Sequence, residues 1–197
     1  MIKPWKPTRE QLLAAQGKTV RDVIAPGLRV LFCGINPGLY TAAVGHHFAR
    51  PGNRFWPALY AAGFTERLLS PFEELELLKL GYGITNVVKR TSASADLLTK
   101  EEIVQGGKRL TAKVKRYRPG VVAILGLGAY RTAFNQAKAG VGRQQETIGD
   151  ALLWVLPNPS GLNANYQPQD LARLFRELRT VVDGNTRKGH SIQNQEW

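Results

Sequence analysis

The stretch LRVLFCGINPGLYTAAVGHHFARPGNRFW, residues 28–56, decides the fold class of this 197-residue chain. It opens with the apolar run Leu28–Gly34, which is typical of a strand buried on both faces of a sheet. The chain then crosses a long polar loop and enters a helical pattern whose expected cap is Asn53. A buried strand that leads through a loop into a helix is the start of an α/β unit.

The same alternation continues along the chain. Further apolar runs predict strands at 82–88, 121–126 and 151–157. Helical patterns separate them, and the capping boxes Ser70–Glu73 and Thr99–Glu102 mark two helix starts. We therefore predict an α/β fold: a three-layer α/β/α sandwich with a mainly parallel central sheet of about four strands.

The chain divides into three parts by pattern. Residues 1–25 form an N-terminal extension, and residues 26–183 form a single domain that ends in an apolar-faced helix. The last stretch, 184–197, lacks an apolar pattern and is expected to be a disordered tail.

Composition restricts the class of partner. The formal net charge is +12, which favours a polyanion such as nucleic acid. A single cysteine, Cys33, excludes an internal disulfide, a four-cysteine zinc site and an iron–sulfur cluster. No apolar stretch approaches membrane-helix length, and the first residues lack a signal-peptide core. We expect a cytoplasmic protein, associated with the nucleoid of a bacterium.

Two unusual loops leave the carboxyl ends of predicted strands, where ligands bind in such folds, so we expect them to meet in one crevice. In GINPG, 34–38, the carboxamide of Asn36 can hold water through its oxygen and substrate through its nitrogen. In LPNPSGLN, 156–163, Leu162 is an apolar side chain at a rigid polar tip, as a base-step wedge requires. The alternatives are that GINPG is a plain turn and that LPNPSGLN is an ordinary loop, neither with a role in chemistry.

Together with FARPGNRFW, 48–56, these motifs resemble the mismatch-specific uracil-DNA glycosylase family, which includes the thymine-DNA glycosylases. The resemblance runs from about Val30 to Leu178. It implies an enzyme that flips a mispaired or damaged base out of double-stranded DNA and hydrolyses its N-glycosidic bond, leaving an abasic site. It also implies a monomer that needs no metal and no organic cofactor.

The resemblance assigns roles to particular positions. Asn36 would position the attacking water, Phe48 would stack on the flipped base, and Asn158 would sit beside that base. Gly34, Ile35 and Gly38 would complete the pocket. Strict uracil enzymes carry a tyrosine at the position of Gly38, so its absence would admit thymine or exocyclic cytosine adducts. The wedge and its contacts to the orphaned guanine would come from Gly161, Leu162 and Asn163.

Some positions depart from the relatives. His46 and His47 stand where an enteric-type relative has apolar residues. A phosphate contact, a metal site and a loop role without chemistry are the three interpretations of this pair. Ala164 replaces an arginine beside the orphaned base, so discrimination on the guanine side is not implied. Asp96 is either a general base at the crevice or a solvated loop aspartate.

The remaining predictions concern charge. Phosphate contacts are expected from His47, Arg50, Arg54, Lys89, Arg90 and Ser160. The basic run 108–118 is interpreted as a solvated helix face. Two rival functions remain: a non-catalytic DNA-binding module, and a dinucleotide-binding oxidoreductase based on GLGAYR, 126–131, which lacks the third glycine and the acidic residue of that motif.

Overall fold

The computed structural model describes residues 6–192, and the side chains of residues 6–184. The strands are β1 Val30–Gly34, β2 Tyr82–Asn86, β3 Val121–Leu125, β4 Gly142–Ile148 and β5 Ala151–Leu156. The α-helices are α1 Arg9–Leu13, α2 Leu39–Val44, α3 Phe55–Ala61, α4 Glu76–Lys79, α5 Lys100–Tyr117, α6 Leu127–Phe134 and α7 Pro168–Ile192. Two 3₁₀ helices, Pro71–Glu73 and Ala95–Leu97, lie between them.

The strands form one five-stranded sheet in the order β2-β1-β3-β5-β4. The pairs β1–β2, β1–β3 and β3–β5 are parallel, and β4 runs antiparallel to β5 at one edge. The predicted α/β fold with a mainly parallel sheet is confirmed, but the predicted strand count missed β4. That strand reads GRQQETI and is largely solvent-exposed, so it carries no apolar run.

Alternation along β1 supplies both halves of the core. Phe32 points to one face, where it packs with Phe55 of α3 and Phe175 of α7. Cys33 points to the other face, where Leu110 of α5 lies in the same buried cluster. Because successive strand residues face opposite sides, one apolar run is buried by helices above and below it.

The capping-box predictions had different outcomes. α5 begins after Thr99 with the predicted capping box. The stretch after Ser70 also has its box, but it forms a 3₁₀ turn followed by the short α4 instead of one helix. Glu74 lies at the break, buried, and its carboxylate accepts a hydrogen bond from the backbone N–H of His47 at 2.8 Å. The interruption of the helix therefore coincides with a tertiary contact that fixes Glu74.

The described residues include parts of both predicted terminal segments. Val23 pairs with Ile84 in an antiparallel bridge, so the described part of the N-terminal extension covers the free edge of β2. α7 continues to Ile192 and therefore includes part of the predicted tail, whereas residues 193–197 lie outside the described residues. Within residues 6–192, no helix is both long and apolar enough to cross a membrane.

Candidate active site

The two unusual loops meet in one cavity of about 380 Å³ at the carboxyl ends of the parallel strands. Its lining includes eleven of the predicted site residues: Gly34, Ile35, Asn36, Gly38, Phe48, Arg50, Asp96, Asn158, Ser160, Leu162 and Asn163. A larger neighbouring cavity of about 880 Å³ shares Ile35, Asp96, Asn158 and Asn163 with it. The larger cavity is lined by neither Asn36 nor Phe48, so the smaller one is the candidate site of chemistry.

The Asn36 side chain is held in a single orientation. Its Nδ2 donates to the carbonyls of Pro37 at 3.2 Å and Arg90 at 3.1 Å, and to Ser92 Oγ at 2.7 Å. Carbonyl oxygens can only accept, so the nitrogen must face them. Among the described residues Oδ1 has no hydrogen-bond partner, which leaves it as an acceptor at the cavity wall.

Ser92 is a supporting residue that the sequence did not reveal. It is 1% exposed, accepts from Asn36 and donates its hydroxyl proton to the Ser94 carbonyl at 2.6 Å. Its backbone N–H also donates to the Pro37 carbonyl at 3.3 Å, which ties the loop after β2 to the loop after β1. The carboxamide is thus fixed by two loops before any ligand arrives.

Phe48 forms an aromatic wall that is braced from behind. Its ring stacks on Phe55, with centroids 4.1 Å apart and planes 28° from parallel. Its backbone has φ 55°, in the left-handed region that non-glycine residues rarely occupy. The Trp56 indole N–H donates to the carbonyl of His47 at 3.2 Å and so helps to hold this turn. Such local strain is typical of functional loops.

Asn86 is a second polar residue that sequence reasoning missed. It is 8% exposed at the end of β2 and is the register partner of Gly34. A Cβ on Gly34 would lie 2.6 Å from Asn86 Oδ1 and 3.3 Å from Phe48 Cζ. The missing side chain of Gly34 therefore lets the amide oxygen lie beside the aromatic ring. A polar residue that ends an apolar strand was the available signal.

Asn158 lies near the start of the second loop, and its amide oxygen already accepts a hydrogen bond within that loop. Oδ1 accepts from the Ser160 N–H at 3.0 Å, in a turn that rigidifies the loop. The Asn158 carbonyl accepts from Asn163 Nδ2 at 3.0 Å. Within the described chain Asn158 Nδ2 has no partner, so the group it offers the cavity is a donor.

The tip of the second loop projects from the surface. Leu162 is 75% exposed although it is a large apolar side chain. Gly161, before it, packs so closely that a Cβ would lie 2.5 Å from the Gly52 carbonyl oxygen. The base of this loop is therefore pressed against the segment between α2 and α3, while its apolar tip stays free.

The comparisons with known proteins agree with this architecture. A family model described as the uracil DNA glycosylase superfamily matches residues 21–179. The chain belongs to the uracil DNA glycosylase superfamily. Membership in the uracil DNA glycosylase superfamily indicates a hydrolase of DNA repair that acts on DNA, and it gives no support to a dinucleotide-binding oxidoreductase.

A solved structure with a similar fold is the solution NMR structure of a candidate uracil DNA glycosylase from Methanosarcina acetivorans. The two chains superpose with a TM-score of 0.56 at 20% sequence identity, over 83% of this chain and 98% of that chain. At this identity the likeness shows the shared superfamily fold alone.

Two predicted phosphate contacts of this superfamily member do not fit the structure. The Arg54 guanidinium donates to the carbonyls of Tyr166, Ser160 and Asn163 at 2.5, 2.5 and 2.9 Å. It is therefore an internal clamp of the second loop. His47 is 1% exposed, and its Nε2 lies 3.0 Å from the Arg21 carbonyl. Because the ring is buried, it cannot reach a phosphate.

The other predicted cations differ in availability. Arg90 forms a bidentate ion pair with Glu102, with hydrogen bonds of 2.6 and 2.9 Å. This ion pair lowers the pKa of the Glu102 carboxyl to about 2. Arg50 and Lys89 are exposed and form no ion pair within the described part of the chain. Of the predicted cationic contacts, these two are the ones free to meet phosphate.

The remaining polar candidates lie at the rim. Asp96 is exposed, lines both cavities and accepts from the Ser94 hydroxyl at 3.1 Å. His46 Nδ1 lies 3.0 Å from Glu74 Oε1, and His46 is not one of the residues that line the cavity. In residues 6–192, no group of three or more His, Cys, Asp or Glu side chains is arranged as metal ligands.

Proposed function

We propose that this chain is a mismatch-directed uracil-DNA glycosylase that flips a mispaired or damaged base out of duplex DNA and hydrolyses its N-glycosidic bond. One observation carries the proposal: a single cavity is lined by an oriented carboxamide, an aromatic wall and an exposed apolar tip, contributed by Asn36, Phe48 and Leu162. These are the parts that water positioning, base stacking and helix filling require.

The hydrolysis needs a positioned water and a stabilised leaving group. Asn36 Oδ1 would accept a hydrogen bond from the water and aim its oxygen at the C1′ carbon of the sugar. As the C1′–N1 bond breaks, its electron pair moves onto the base and gathers on the O2 oxygen. The free N–H of Asn158 is a donor suited to that developing charge. The proton of the water leaves to solvent or to Asp96.

The base itself would be recognised at its edge and its face. Phe48 provides the stacking surface, since base–aromatic stacking is worth about 1–3 kcal/mol. Asn86 Oδ1 lies beside that ring and can accept the N3–H of uracil or thymine. Ile35 and Gly34 complete the wall between them.

Gly38 would set the breadth of substrates. Its backbone has φ −79°, and a Cβ built there meets nothing within 4 Å. The cavity is therefore open at this position, which leaves room for a 5-methyl group or an exocyclic cytosine adduct. Gly38→Tyr should preserve uracil excision better than thymine or adduct excision, because it fills this space without backbone strain.

Mismatch preference would follow from the cost of extrusion. A mispaired base is easier to unstack than a paired one, so selectivity needs no reading of neighbouring sequence. Leu162 would occupy the vacated space, with Gly161 and Asn163 against the orphaned guanine. Arg50, Lys89 and the Ser160 hydroxyl are the proposed phosphate contacts of a monomer whose net charge is +12.

The test is a panel of duplex oligonucleotides with one uracil opposite guanine, opposite adenine or unpaired, and with thymine or an exocyclic cytosine adduct opposite guanine. Alkali cleavage of the abasic product measures excision. We expect the fastest cleavage for uracil opposite guanine. Tight binding to every duplex without any cleavage would instead identify a non-catalytic DNA-binding module.

A further inference from the structure

His47 and Asn86 form a buried hydrogen-bond chain next to the cavity. His47 Nε2 lies 3.0 Å from the Arg21 carbonyl, and His47 Nδ1 lies 3.4 Å from Asn86 Nδ2. A carbonyl accepts and cannot donate, so Nε2 must carry the proton. In the neutral ring Nδ1 then has a lone pair, which accepts from the Asn86 N–H.

This hydrogen-bond chain determines which end of the Asn86 carboxamide faces Gly34. Its nitrogen is directed at His47, so its oxygen is directed at Gly34 and the ring of Phe48. We infer that His47 is a positioning residue: the lone pair on its Nδ1 holds Asn86 with the oxygen towards the base pocket. This inference rests on the proposed function and adds a determinant of base specificity to it.

Protonation of His47 would reverse the hydrogen-bonding character that Asn86 presents to the pocket. A doubly protonated ring presents N–H at Nδ1, and two donors would then face each other. The carboxamide would have to rotate by half a turn, placing its NH₂ beside the Phe48 ring. The pocket would then offer a donor, which suits the lone-pair N3 of cytosine, in place of an acceptor for the N3–H of uracil.

The surroundings of His47 favour the neutral ring. Burial lowers the pKa of His47 from its ordinary value of about 6.5, because the charged form loses its hydration. The carboxylates of Glu74 and Asp22 oppose this shift, the Arg21 carbonyl opposes it through its hydrogen bond, and His46 adds to it. At neutral pH the acceptor face of Asn86 is therefore the one presented.

The experiment compares uracil with 3-methyluracil, each opposite guanine, in single turnover. Both bases keep the two carbonyl groups, but 3-methyluracil has N–CH₃ where uracil has the N3–H that Asn86 would accept. The ratio of the two excision rates reports the hydrogen bond to Asn86 and is divided by the wild-type ratio, which cancels the intrinsic difference between the leaving groups. Thermal unfolding of each variant is measured alongside.

Three variants isolate the Nδ1 lone pair. His47→Leu removes it and should lower the ratio about tenfold, equivalent to about 1.4 kcal/mol. His47→Asn places an amide oxygen near the position of Nδ1 and should keep the ratio within about threefold, although it also loses the Arg21 contact. His46→Leu removes the neighbouring contact to Glu74 and should leave the ratio unchanged.

Coupling to Asn86 is tested by a double-mutant cycle. Asn86→Ala should lower the ratio as much as His47→Leu does, and the double variant should lower it no further. In the wild type the ratio should be constant from about pH 8 to about pH 6.5 and should fall in more acidic buffer, where His47 becomes protonated. This fall should be absent in His47→Asn.

The outcomes separate the two proposals. Absence of uracil excision by the wild type would remove the proposed function. Normal excision by the wild type, with His47→Leu and His46→Leu giving the same ratio, would overturn the positioning role alone. A further loss in the double variant, equal to the sum of the single losses, would overturn it as well, because His47 would then act independently of Asn86.

Discussion

The loops after β1 and β5 line the same cavity but are fixed in opposite ways. In the first loop the functional side chain is itself immobilised, since the amide nitrogen of Asn36 meets three acceptors. In the second loop the backbone is immobilised at its base by Arg54, while Leu162 is left 75% exposed. In the first loop the functional side chain itself is ordered, whereas in the second loop only the backbone that carries Leu162 is held in place.

The difference matches two demands of the proposed reaction. A catalytic group contributes most when its geometry is fixed beforehand, because no ordering cost is then paid in the transition state. A wedge has to follow the shape of a distorted helix, so a firm base with a free tip serves it better. Five substitutions can break or sharpen this contrast.

Asn36→Ala should have the largest effect. Loss of the positioned carboxamide should reduce single-turnover excision of uracil opposite guanine by about 100-fold or more, the range typical of a group that acts in the transition state. Ser92→Ala is the matched control, since it removes one of three acceptors and should cost less than about tenfold. Wild-type excision by Asn36→Ala would contradict the assignment of the first loop.

Arg54→Met should act on stability instead. It leaves three carbonyls of the second loop without their donor, a loss of about 3 kcal/mol in the free energy of unfolding. Tm should fall by about 6–12 °C in calorimetry. Arg50→Met, on the exposed side, should leave Tm unchanged and reduce the slope of log affinity against log salt by about 0.9. A lower Tm for Arg50→Met, together with a smaller salt slope for Arg54→Met, would mean that Arg50 is the internal clamp and Arg54 the phosphate contact.

Phe48→Ala should reduce excision by about one to two orders of magnitude, since the stacking surface is lost. Affinity for undamaged duplex, measured by fluorescence anisotropy, should stay close to that of the wild type. An equal loss of binding affinity for damaged and undamaged duplexes would contradict the placement of Phe48 in the base pocket.

Leu162→Ala should reduce excision from duplex DNA by about tenfold, because the vacated space is no longer filled. Uracil in single-stranded DNA, where no helix has to be held open, should be excised at the wild-type rate. A similar loss on both substrates would indicate that Leu162 lines the pocket and does not act as a wedge.

Asp96→Asn should have the smallest effect, below about threefold in single turnover. The carboxylate is exposed and bonded to Ser94, and the substitution removes only its basicity. A loss of 100-fold or more would make Asp96 the general base that shares the water with Asn36.

The sequence allowed the architecture and the meeting of the two loops to be predicted, because strand carboxyl ends converge in a parallel sheet. It did not reveal β4, whose polar residues carry no periodic signal. The predicted phosphate contacts of Arg54 and His47 were wrong, since residue type indicates charge but not the direction in which a side chain points. Asn86 and Ser92 were missed because their roles depend on contacts with residues that are distant in the sequence, His47 and Asn36.

The two glycines that bracket the GINPG motif have different freedom to change. Any side chain at Gly34 would collide with Asn86 Oδ1, whereas Gly38 has open space on its side-chain face. We therefore expect replacements at Gly38 to arise singly among relatives and to alter which bases are accepted. A replacement at Gly34 should be accompanied by a change at position 86. Correlated substitution at these two sites, found in an alignment, would mark lineages that have rebuilt the way they read the base.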